Sequence, residues 1–175
     1  MTNYLDQLGT LSQHPDVPEW LISSPVSVPF SPVKKLQFIF DEGLPDAQVS
    51  PDAVDAVKNF MSLGESDRLG ASLAVYRNYQ EFVQATMRGE LAVRRPEEIW
   101  SFVTPREICV GRRSRLDKRI YIQLFCECGW DPEHGLQLVF REGAELSRVS
   151  MQDGHLTYAD AFGLSQDPDG EVIWR

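Results

Sequence analysis

Apolar and polar positions change period along this chain, and the change divides it into a strand-rich start, a helical middle and a strand-rich second half. Val26, Val28 and Phe30 alternate with polar or small residues, as do Leu36, Phe38 and Phe40. That period of two predicts a β-hairpin with SPVKK as its turn, closed by a loop over DEGLPDAQ. The period then lengthens. Ser50-Pro51-Asp52 combines a hydroxyl cap, proline at the first helical position and an acid in the first turn, and the helix it opens carries Val54, Val57 and Met61 on one stripe until Gly64. Ser66 caps a second predicted helix that runs to about Met87 and stops before Gly89. Its two apolar stripes, Leu69, Leu73, Tyr76 and Val83 beside Val75, Tyr79 and Phe82, predict burial between a partner helix and a sheet.

Beyond ELAVRRPEEIW the alternation returns. Glu107–Arg112 reads as a strand. RIYIQLFCEC reads most clearly of all, with Ile120, Ile122, Leu124, Cys126 and Cys128 on one face. GWDPEHG supplies a turn, LQLVFREG an antiparallel partner, and GAELSRVS a third strand after a tight turn at Glu142-Gly143. QDGHLTYADAFG closes the body, and DPDG with EVIWR predicts a short edge strand. Residues 1–25, with HPDVPEW in their middle, read as a loosely ordered lead-in holding one short helix near Tyr4 to Leu8, before Trp20, Leu21 and Ile22 tuck into the body. Hairpin, helices and meander in that order predict an α+β fold, a mainly antiparallel sheet packed against a helical pair in two layers. All of it, 1–175, is expected to form a single domain.

Composition changes this picture little. With 42% apolar and 25% charged residues the chain is globular. At 175 residues its core needs no staple. No apolar run approaches the roughly 20 residues of a spanning helix, and MTNYLDQLGT is no signal peptide, so a cytoplasmic location and no membrane partner are expected. Net charge matters more. At −9 the surface repels phosphate backbones and suits a basic protein partner, with no nucleic acid bound. The run GRRSRLDKR, with Arg112, Arg113, Arg115, Lys118 and Arg119, runs against that balance. It reads as a solvated loop between two strands, whose neutralisation changes stability within about 0.5 kcal/mol.

Candidate chemistry gathers in the 126–135 hairpin and just after the third strand of the meander. Trp130, Glu133, His134, Asp153 and His155 form the candidate binding set, and no residue is assigned a catalytic role. A His with a carboxylate partner can move protons near neutral pH, yet no nucleophile motif and no phosphate loop accompany it. Cys126, Cys128, His134 and His155 are the ligand types of a tetrahedral zinc site. However, cysteines two apart on a strand are also ordinary core residues, so no metal and no cofactor are assigned. Trp130 is expected to fold back as a lid. His134 is expected to hydrogen-bond across the turn, so that His134→Ala costs roughly 1–3 kcal/mol.

Two stretches, NFMSLGESDRLGASLAVYRNYQEF and the block from IWSFVTPREICVGRR through YIQLFCECGWDPEHGLQLVF to VSMQDGH, resemble a family of small uncharacterised bacterial proteins. The pattern C-x-W-x-x-E-H-G-L followed by D-G-H carries the resemblance, on Cys128, Trp130, Glu133, His134, Gly135, Leu136, Asp153, Gly154 and His155. It covers about Val26 to Phe162. It implies a domain of unknown function and no activity. By analogy with other small acidic domains, the expected role is a non-enzymatic protein-binding module such as an immunity-type protein. The alternative is a metal-dependent or His/Glu acid–base enzyme centred on the hairpin.

Overall fold

The computed structural model describes residues 4–41 and 49–167. The expected loop over DEGLPDAQ and the expected edge strand at EVIWR lie mostly or wholly outside these residues. Strands β1 (Tyr4–Leu5), β2 (Gly9–Gln13) and β3 (Leu21–Ser23) come first, followed by β4 (Val26–Val28), β5 (Ser31–Leu36) and β6 (Phe38–Phe40). The helices are α1 (Pro51–Ser62), α2 (Glu65–Gly70), α3 (Ser72–Thr86) and a 3-10 helix over Pro96–Phe102. The meander is β7 (Val103–Arg112), β8 (Ile120–Cys128), β9 (Leu136–Arg141) and β10 (Glu145–Ser150), and α4 (Tyr158–Ala161) follows. The fold is α+β. Eight strands form one sheet in the order β1-β2-β3-β6-β7-β8-β9-β10, antiparallel except for β6 beside β7, and β4 pairs with β5 separately.

Alternation fixes the face that meets the helices. Ile120, Ile122, Leu124, Cys126 and Cys128 are all buried, and β9 sets Phe140, Leu138 and Leu136 opposite Ile122, Leu124 and Cys126. Helix α1 lies across β7 and β8, while α3 meets β10 and the 3-10 helix. At the centre, Phe140 packs edge-on against Phe30 and Phe60 at centroid distances of 5.3 and 5.0 Å. Each such pair adds about 0.5–1.5 kcal/mol beyond the area it buries.

The first half departs from the pattern-based expectation. Residues 4–25 supply three strands where a loose lead-in was expected. Tyr4–Leu5 pairs with Gly9–Thr10 where a helix was expected. The two alternating runs do not pair whole: β4 meets β5 through Val26 and Leu36, and Phe38–Phe40 leaves for the main sheet. All three residues of β6 are buried, which a strand at the end of a two-stranded hairpin could not achieve, because only an interior strand is covered on both faces. The second helix is divided at Ala71, where weak helix-forming Gly70 precedes a buried alanine. Strand β7 begins earlier than expected, because a register shift between Pro105 and Glu107 accommodates the proline, which has no N–H for the ladder.

The sheet's other face is polar and partly covered. Tyr121, Gln123, Gln137 and Arg148 alternate with the core positions and are nevertheless buried. The segment after β10 crosses this face, placing the Tyr158 ring 5.2 Å from the Arg148 guanidinium carbon.

Candidate functional site

The turn between β8 and β9 is built by Asp131. This side chain is buried, and its Oδ1 accepts the His134 backbone N–H at 3.1 Å and faces His134 Nδ1 at 3.1 Å. Gly135 donates its N–H to the Asp131 carbonyl at 2.9 Å. Its φ of +66° and a Cys126 carbonyl 2.7 Å from where a Cβ would sit both require glycine. Trp130 is a lid rather than a surface anchor, as its ring packs edge-on to Tyr79 at 5.9 Å and its indole N–H donates to Asn78 Oδ1 at 3.2 Å. Glu133 is exposed, and the His134 side chain is 55% exposed.

The His134 imidazole does reach Asp131 as expected, but from a half-exposed position it is not the main hold on the turn. The bond that shapes it runs from the His134 backbone to Asp131 and survives loss of the imidazole. Asp131→Ala should cost about 1–3 kcal/mol by removing a buried carboxylate and leaving the part-buried His134 N–H without its acceptor, and His134→Ala less than about 1 kcal/mol. Urea midpoints of the two variants check that order.

The Asp153–His155 segment is held to the sheet's polar face. Asp153 Oδ1 accepts from Arg148 Nη1 at 2.7 Å, from Gln137 Nε2 at 2.9 Å and from the His155 N–H at 3.0 Å. The His155 carbonyl accepts from Arg148 and Gln137 as well. Burial pushes the Asp153 carboxyl up, but Arg148 and the His155 N–H outweigh it and hold the group below the usual carboxylate range. Asp167 is held low chiefly by the Arg113 guanidinium. A lowered folded-state pKa means that the unfolded chain takes up protons first as pH falls. The stability these groups contribute is thus present above an unfolded value of about 3.9 and lost below it. Urea midpoints should hold above about pH 5 and fall steeply below about pH 4.

Gln152 ties the two parts of the pattern together. Its Nε2 donates to the Cys126 carbonyl at 2.8 Å, and its N–H to the His134 carbonyl at 3.4 Å. Within this adjacency Asp131 is committed to backbone and Asp153 to arginine. Cys126 and Cys128 point into the core, away from exposed His134, and among the described residues no three His, Cys, Asp or Glu side chains are placed to hold a metal. Burial raises the Cys128 thiol to about 11, which keeps it protonated and unreactive.

The basic run is not one solvated loop. Arg119 is half exposed against Glu142, but Arg113 is only 1% exposed and forms ion pairs with Asp117, Asp160 and Asp167. Net charge gave no hint of this, because the partners of Arg113 from the chain's end lie more than forty residues away. Arg148, Gln137 and Asp131 were missed as well. Their signal was present as polar residues on the non-core phase of β9 and β10, and as an Asp three residues before a backbone N–H it could cap.

A cleft of about 280 Å³ opens elsewhere, between α2 and the β9–β10 turn. Phe30, Phe140 and Leu146 contribute to its apolar lining, and Ser66, Asp67 and Ala71 line its α2 side. Asp67 Oδ2 accepts the Gly64 N–H at 2.8 Å. Among the described residues, no helix is long and apolar enough to cross a membrane. No curated protein and no solved structure matches the chain. One family model does match it, over residues 7–156, which include the turn, its tryptophan and the Asp153–His155 segment. The chain belongs to that family, the domain of unknown function DUF6985.

Proposed function

We propose that the protein is a non-enzymatic binding module that receives a basic protein partner at the cleft between α2 and the β9–β10 turn. The observation that carries this reading is the separation of the chemistry from the cleft. The Asp131 and Asp153 carboxylates are taken up by a turn and an arginine, whereas the cleft has a partly apolar lining and no histidine or cysteine. The α2–α3 surface also exposes Leu69 and Leu73, the sort of apolar area a partner covers. A net charge of −9 raises the encounter rate with a basic protein and disfavours an acidic one. An immunity-type protein that neutralises a basic toxin is the concrete form.

The test compares wild type with Ser66→Arg/Ala144→Arg, two exposed positions that line the cleft, so the core is left intact. Wild type should retain one basic protein in stoichiometric amount, released by salt, and the variant should lose it at an unchanged melting temperature. For the immunity form, a secreted toxin encoded beside the gene should be inhibited one-to-one. Retention that ignores both substitutions would count against the cleft. A turnover abolished by His134→Ala would restore the enzyme reading.

A further inference from the structure

Arg113 directly follows β7, and its guanidinium is enclosed by the segment that crosses the polar face of the sheet. Its Nε–H donates to Asp160 Oδ2 at 2.8 Å and its Nη1–H to Asp167 Oδ2 at 2.8 Å. Nη2 donates to Asp167 Oδ1 at 2.8 Å, Asp160 Oδ1 at 3.1 Å and Thr157 Oγ1 at 2.9 Å. Two carboxylates are thus each held in a two-pronged grip, the geometry in which arginine is most selective. Arg115 extends the grip to Asp160 at 3.5 Å and to the Leu164 carbonyl.

The strap that supplies these acceptors, Thr157–Asp167, is packed against the sheet at its start, where the Tyr158 ring meets the Arg148 guanidinium. Thr157, Tyr158 and Ala159 are buried, but Phe162 is 71% exposed and Leu164 is exposed as well. Ahead of it, Asp153 and His155 are anchored separately by Arg148 and Gln137, which places a fixed point just before the strap. Beyond Ala159 the exposed Phe162 and Leu164 add little burial to the two carboxylate grips, and such a segment opens at less than the global unfolding cost. The family match ends at residue 156. Arg113 and Arg115 lie inside it, and all three strap partners of Arg113 lie outside.

We propose that Arg113 and Arg115 form a receptor for an acidic peptide segment, and that Thr157–Asp167 occupies it in cis as a built-in competitor. The site grips paired carboxylates in two-pronged contacts, a short-range attraction that a short acidic segment can use against the longer-range repulsion of the chain's net charge.

The probe is a synthetic peptide of residues 157–167, TYADAFGLSQD, added to the full chain. Asp160→Asn/Asp167→Asn should loosen the strap and bind the peptide one-to-one, more weakly as salt rises. Wild type should bind it roughly tenfold or more weakly, because only its open fraction can accept a ligand. A peptide with both aspartates changed to asparagine should not bind, and adding Arg113→Gln to the double variant should abolish binding. A folded double variant that ignores the peptide, or binding that survives Arg113→Gln, would overturn the proposal. Hydrogen exchange on wild type decides the matter even where a variant fails to fold. Residues 157–167 should exchange well ahead of β7–β9, and exchange in step with the sheet would make the strap an ordinary part of the fold.

Discussion

Gly143→Ala should lower stability by about 2–5 kcal/mol, among the largest losses a single methyl group can cause in this fold. Glu142 and Gly143 open the three-residue turn between the paired Arg141 and Glu145, with φ of +50° and +72°, in the left-handed region that favours glycine. A side chain at Gly143 meets more than backbone strain, because its Cβ would lie 1.9 Å from the Ala56 carbonyl oxygen in α1. The obstacle is main chain, which cannot rotate aside, and Asn59 Nδ2 pins the turn further by donating to the Glu142 carbonyl at 2.9 Å. Either the hairpin or α1 must shift, and both border the aromatic centre. Gly154→Ala is the control. Its φ of +76° carries the same strain, yet nothing lies within 4 Å of the added carbon, so about 1–2 kcal/mol is expected. Equal losses in the two urea titrations would remove contact with α1 from the explanation.

Trp130→Ala should cost about 3–5 kcal/mol, the range for truncating a large buried aromatic. The ring fills the space beside Tyr79, and the Trp130 backbone closes on the loop after α3, where a Cβ on Gly89 would lie 2.6 Å from the Trp130 carbonyl. The loss should therefore extend beyond the ring's own area, loosening the Gly129–Gly135 turn and the end of α3 together. Trp130→Phe separates packing from polarity. It keeps most of the apolar contact but leaves Asn78 Oδ1 without its indole donor, so about 1 kcal/mol should be lost beyond the difference in ring size. Hydrogen exchange should be fastest across 129–135 and 84–90 in the alanine variant. Exchange confined to 129–135 would show that the tryptophan does not couple the turn to the helix.

Local order in this protein is written in short windows. The β8 residues from Ile120 to Cys128 alternate so regularly that face, partner and burial follow from the pattern, and the cap of α1 follows from Ser50-Pro51-Asp52. These features depend on residues within a few positions of one another, where backbone propensity and side-chain period act directly. The same reasoning placed Trp130 under cover and both hairpin cysteines in the core, and the structure agrees.

Distance along the chain is what the pattern did not carry. Phe38 finds Ile108 across seventy residues in a parallel pairing, and nothing near Phe38 distinguishes that choice from a local hairpin. The choice is made by burial of both faces of β6, which exists only once the sheet is assembled. Arg113 looks like its neighbours in GRRSRLDKR until Asp160 and Asp167 arrive to neutralise it, so a charge that reads as solvated in sequence is among the most enclosed in the fold. The Glu133-His134 pair shows the converse, since its residue types suggest chemistry while Asp131 takes the structural role. Sequence alone determined the α+β class, the meander and its core-facing residues, because hydrophobic period acts locally. Tertiary structure decided the parallel β6–β7 join, the burial of Arg113 and the cleft between α2 and the β9–β10 turn, because each is made by groups that meet only when remote segments pack.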